Sequence, residues 1–204
     1  MALVKYNNNS ISAITTAGQL ASGSLVPISE QTASGSASIS FTSGIDSTYP
    51  IYRFEFINCH PASNDANFQF NMSVDGGSNY NVTKTTTIFN AYHYENDSGA
   101  NVVYDTGSDL AQSTSDQIIA GNQGVGNDND QSVSGSLMLF NPSSTTFVKH
   151  FIISSNAYHH ADITINGFVA GYGNTTSAID GVIFKFANGN IDSGTIKLYG
   201  IKDS

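Results

Sequence analysis

Phe68-Gln69-Phe70-Asn71-Met72-Ser73-Val74 alternates apolar with polar residues and then meets Asp75-Gly76-Gly77. Successive side chains on a β-strand point to opposite faces, so strict alternation marks a half-buried strand. A helix would repeat its apolar positions every 3.6 residues. The two glycines supply positions that tolerate positive φ, where the chain turns.

The same period runs outward from this stretch. Ala37, Ile39 and Phe41 alternate with serine and threonine, and Tyr52, Phe54 and Phe56 alternate with Arg53 and Glu55. Further strands are expected over 82–89, 137–140, 146–153, 162–170, 182–186 and 195–199. Asn141-Pro142 reads as a turn, and Asn188-Gly189, between 182–186 and 195–199, reads as a hairpin. No segment carries a sustained helical stripe. The expectation is an all-β fold, an antiparallel β-sandwich of about eight to ten strands, with a jelly roll as the preferred topology. Residues 36–204 form the single sandwich domain in this reading. Residues 1–35 are weakly patterned and read as an extended N-terminal arm or anchor, with a loosely packed leading strand as the alternative. The polar, glycine-rich stretch 96–131 reads as a long loop.

Composition narrows the function. Charged residues make up 11% of the chain, against about 25% in an ordinary soluble domain. A surface of Ser, Thr, Asn and Gly suits permanent assembly and extracellular coats. The net charge of −9 and the lack of a basic cluster argue against nucleic acid and against an anionic membrane surface as partners. No apolar run is long enough for a membrane helix, and the opening residues Met1–Tyr6 lack a signal-peptide core. Cys59 is the one cysteine, so an internal disulfide is ruled out. It reads as a small buried hydrophobe.

Candidate chemistry is sparse. The histidines are His60, His93, His150, His159 and His160. His159 and His160 are adjacent, and on a strand they would point to opposite faces, with His150 approaching one of them across a hairpin. No metal site and no cofactor is expected on this basis. Asp128 and Asp130, in Asn127-Asp128-Asn129-Asp130, could form a weak Ca²⁺ loop through oxygen ligands, although the bidentate Glu of a calcium loop is missing. No Gly-x-Ser-x-Gly elbow and no phosphate loop occurs, so no catalytic residue is assigned and the chain is read as a non-enzyme. Tyr92, His93 and Tyr94, with Tyr158 and His159, form an aromatic group suited to contact with a glycan or a protein partner.

The segments Ser73-Val74-Asp75-Gly76-Gly77-Ser78-Asn79-Tyr80, Phe140-Asn141-Pro142-Ser143-Ser144, Asn174-Thr175-Thr176-Ser177-Ala178-Ile179-Asp180 and Gly189-Asn190-Ile191-Asp192-Ser193-Gly194-Thr195-Ile196-Lys197-Leu198-Tyr199-Gly200-Ile201 resemble those of structural proteins from tailed bacteriophages of the marine type. The resemblance implies a virion component made in the host cytoplasm. On this reading it is a surface protein of the tail fibre or tail-associated adsorption type. A capsid decoration protein and a stand-alone carbohydrate-binding module are the alternatives. The implied partners are further copies of the chain (a homotrimer), other virion proteins through the N-terminal arm, and a host surface glycan or protein.

Overall fold

In the computed structural model, residues 24–120 and 124–202 are described. Twelve strands and no helix occur among them. They are β1 (Leu25–Ser36), β2 (Ile39–Phe41), β3 (Ile51–Pro61), β4 (Phe68–Ser73), β5 (Lys84–Tyr94), β6 (Ala100–Tyr104), β7 (Gln117–Ile118), β8 (Val133–Phe140), β9 (Lys149–His159), β10 (Ile163–Gly173), β11 (Gly181–Phe186) and β12 (Ile191–Ile201). They form one sheet in the order β1-β12-β3-β8-β9-β10-β5-β6 and a second in the order β2-β11-β4-β7. Every pairing between these strands is antiparallel.

The two sheets meet through phenylalanine. Phe41 of β2 packs edge-on against Phe54 of β3, and Phe70 of β4 does the same against Phe151 of β9. Phe184 of β11 has its ring centre 5.5 Å from Phe54, 6.3 Å from Phe56 and 6.0 Å from Phe68. These rings belong to one buried cluster that joins both sheets. The alternation read in the sequence therefore selects the core: Tyr52, Phe54 and Phe56 are buried, while Arg53 and Glu55 point outward and pair at 3.1 Å.

Three expectations need correction. The sandwich does not begin at residue 36. Residues 25–35 of the expected arm, together with Ser36, form β1, which pairs with β12 from Leu25↔Ile201 to Ser36↔Ile191. As an edge strand it buries little, so its apolar pattern is weak, and backbone pairing holds it instead. The rest of the arm, 1–23, lies outside the described residues. Asn188-Gly189 is not a hairpin turn either. β11 pairs with β2 and β4, whereas β12 pairs with β1 and β3, so this turn carries the chain from one sheet to the other. Gly189 has φ of 74°, which a side chain would strain. Asp75-Gly76-Gly77 makes the same crossing, from β4 to β5.

The third correction concerns the stretch 96–131, which contains β6 and β7. The eight-stranded sheet is twice as wide as its partner, so the inner faces of β5, β9 and β10 need another cover. Residues 105–120 and 124–125 provide part of it. Thr86 donates its N–H to Leu110, Lys84 and Ser113 exchange two backbone bonds, Ile119 donates to Phe68, and Val125 bridges Ala66 and His159. Ile119, Ala120 and Val125 are buried in the core as a result.

A chain that starts at residue 38 is expected to lose stability and to aggregate through the bared β12 edge, as chemical denaturation and light scattering would read. Phe184→Ala should cost about 3–5 kcal/mol in the same denaturation experiment, because it removes the ring on which four others converge.

Candidate functional site

β9 ends at His159, and the turn 160–162 leads into β10. His160 therefore leaves the strand. The expectation that neighbouring histidines would face apart fails here, because alternation holds only within the strand. The two imidazoles instead lie 4.0 Å apart between ring centres. Asp65, in the connection from β3 to β4, brings Oδ1 to 3.4 Å from His160 Nδ1. Its φ of 56° directs it there. Asp65, His159 and His160 place their ligand-capable atoms within 4.8 Å of one another, and they are the group of three metal-capable side chains among the described residues.

The hydrogen bonding tells against an ion at this point. The Ala161 N–H donates to His159 Nδ1 at 3.0 Å. That lone pair is occupied, so neutral His159 carries its proton on Nε2. An ion at Nδ1 would have to displace that bond, and an ion at Nε2 would need the other tautomer, with Nδ1 as the donor. His159 is buried, and burial followed by the neighbouring His160 lowers its pKa from 6.5. The arrangement works as a clasp that ties the β9–β10 turn to the β3–β4 connection. His150 lies at the other end of β9 and meets Tyr172 instead, with ring centres 6.2 Å apart. It does not approach the pair.

Asp128 and Asp130 sit beside a second histidine. His60 Nε2 lies 3.1 Å from the Asp128 carbonyl, and its Nδ1 lies 3.6 Å from Asp192. His60 and Asp192, with Asn58, Asp130 and Gln131, border a polar cavity of about 300 Å³. Asp128 closes a turn by accepting from the Gln131 N–H at 2.9 Å.

Strand alternation divides the aromatic group read from the sequence. Tyr92 and Tyr94 lie opposite Ile165 and Ile163, on the inner side of the sheet, and contact each other edge to face at 6.1 Å. His93 faces out beside Thr164, and Tyr158 stands across Thr164 on the same face. His93 pairs with Asp97 at 3.0 Å. The Tyr158 phenol donates to Asp162 at 3.3 Å, and its hydrogen bond with Glu95 raises its pKa. His159 points inward. No single surface unites the five.

A different surface is the more distinctive one. The outward positions of β5, β6, β8, β9 and β10 carry no Lys, Arg, Asp or Glu. Near the middle, Phe89 and Phe168 stack at 5.0 Å with their planes 17° apart, and they remain 44% and 36% exposed. Tyr104 and Ile152 stand beside them, also exposed. Next to this ridge is an apolar groove of about 540 Å³, lined by Thr85, Thr87, His150, Ile152, Ala170 and Tyr172. The charged residues resume on β3, β12 and β1, where Lys197 pairs with Glu30 at 3.0 Å. The signal was present in the sequence as the missing charges at alternate positions, but it emerges only once the five strands are placed side by side. Comparison of the chain with family models, with curated proteins and with solved structures finds no match.

His159 binds a proton more weakly folded than unfolded, so the unfolded chain holds more protons just below pH 6.5. Stability should therefore fall as pH drops below that value and stop falling below the folded pKa. His159→Asn is expected to flatten this part of the curve, which thermal unfolding across the pH range would measure.

Proposed function

We propose that this chain is a surface structural protein of a bacteriophage virion, of the tail fibre or tail-associated adsorption type, and that it works as an assembly of copies. The observation that carries the reading is the uncharged outer face with its exposed Phe89–Phe168 ridge. Monomeric proteins rarely leave such a patch uncovered. The chain has a net charge of −9, yet here two copies could meet without like charges opposing each other.

The shape favours a second copy over a sugar. A pyranose stacks on the open face of an aromatic ring, but Phe89 and Phe168 spend facing surfaces on each other. Ridge and groove lie side by side on one face, so the ridge of one copy can enter the groove of the next around a closed ring such as a trimer. The strand order also supports the finer topological reading: β1-β12-β3-β8 against β2-β11-β4-β7 is the interleaving of a jelly roll, with β5-β6 and β9-β10 added to one sheet. Fold alone does not assign function; the resemblance to phage structural proteins supplies the virion setting.

Phe89→Ser with Phe168→Ser is expected to turn an oligomer into a monomer in size-exclusion light scattering. The fold should survive, since an aromatic pair contributes only about 0.5–1.5 kcal/mol beyond its buried area. A wild-type chain that is monomeric at high concentration would refute self-association through this face. Labelling intact particles with antibody decides the setting: copies on the tail support the reading, copies across the head favour a decoration protein, and no copies on any particle overturn it.

A further inference from the structure

Asn71 lies on β4 and Lys84 opens β5, so the two residues belong to opposite sheets. Both are buried, Lys84 completely and Asn71 to within 1%. Lys84 Nζ stands 2.6 Å from Asn71 Oδ1 and 2.8 Å from the Val82 carbonyl. The carboxamide is held on all sides. The Met72 N–H donates to Oδ1 at 2.9 Å. Nδ2 donates to Asp116 Oδ1 at 2.9 Å and to the Thr114 carbonyl at 3.1 Å. Asp116 pairs through its other oxygen with Lys185 Nζ at 2.7 Å.

A buried cation ordinarily pairs directly with its anion. Here a carboxamide is wedged between the amine and the carboxylate, with its carbonyl oxygen toward the amine and its nitrogen toward the acid. We propose that Lys84 and Asn71 join through an intramolecular isopeptide bond that staples the two sheets together.

The parts needed for the reaction are all present. The Nζ lone pair of neutral Lys84 attacks Asn71 Cγ, and the carbonyl π pair moves onto Oδ1. The Met72 N–H meets the negative charge that develops there, as an oxyanion-hole donor does. One proton must pass from Nζ to Nδ2, and Asp116, whose carboxylate bonds Nδ2 and whose charge acts on Lys84, is the group placed to relay it as Nζ closes on Cγ. The Cγ–Nδ2 bond then breaks, its electron pair leaves with the nitrogen, and ammonia departs. Amine plus carboxamide becomes secondary amide plus ammonia, with no oxidant or cofactor. Fixed proximity removes the entropic cost of bringing the groups together. Burial also disfavours the ammonium form and pushes the Lys84 pKa down to about 8, so a neutral fraction is present near physiological pH.

Lys149 provides an internal control. It is also buried, but its Nζ donates to the backbone carbonyls of Phe147 and Thr175 and not to a carboxamide.

The inference rests on core chemistry and is independent of the virion reading. The test is the intact mass of the purified full chain under denaturing conditions, followed by peptide mapping. The expected result is a chain lighter by one ammonia, with one branched peptide that contains both Asn71 and Lys84. Lys84→Met and Asn71→Ala should each restore the full sequence mass. Asp116→Ala should do so too, or slow the conversion, while dichroism confirms a folded chain. Lys149→Met should keep the mass loss. Folded wild-type protein that retains the full sequence mass after long incubation at mildly alkaline pH would overturn the proposal. So would an ammonia loss confined to one unbranched peptide, which marks a succinimide instead.

Discussion

Everything in this molecule depends on a layer of phenylalanine rings between two sheets of unequal width. Phe184 sits at its centre, with Phe54, Phe56, Phe68 and Phe70 around it. Cys59 is buried and its thiol is pushed up to about 12 by desolvation, so it is inert packing and not a redox group. With no disulfide available, shape and apolar area must hold the sheets face to face. The ring contacts are edge-on or tilted in most pairs, the geometry that aromatic quadrupoles favour.

The unequal widths then explain the rest. Four strands cannot cover eight, so part of the wide sheet's inner face is closed by the segment that carries β6 and β7. That cover is polar, and a polar cover over a core must have its groups satisfied. Gln117 illustrates this: it is fully buried, accepts from the Thr86 hydroxyl at 2.6 Å and donates to the carbonyls of Ser108 and Ile118. Lys84, Asn71 and Asp116 belong to the same seam. The polar chemistry of the core is thus concentrated where the second sheet runs out. The same widening creates the broad outer face, since β5, β6, β9 and β10 extend the sheet beyond what a sandwich of two equal layers would present.

The alternating stretches 37–41, 52–56 and 68–74 specified their strands and buried faces directly, because a two-residue period has one physical reading. The weak pattern of β1 left arm and leading strand both open, because an edge strand is held by backbone pairing, which leaves little side-chain signature. The turns were located correctly but misassigned: Asn188-Gly189 bends the chain as a hairpin would, and nothing local says whether the next strand returns to the same sheet. His159 and His160 were separated by a rule that applies only while the strand continues, and the strand ends between them.

The sequence by itself determined that this is an all-β protein, which residues of its main strands face inward, and that no disulfide can support it. These follow from period and composition, both of which are local or global sums over the chain. Only the tertiary structure decided that five strands align their uncharged sides into one surface. Only it brought Lys84 and Asp116 to hydrogen-bonding distance of Asn71 and folded His160 back over His159. Each of these depends on which strands become neighbours, and that is set by how two sheets of different width share a single aromatic core.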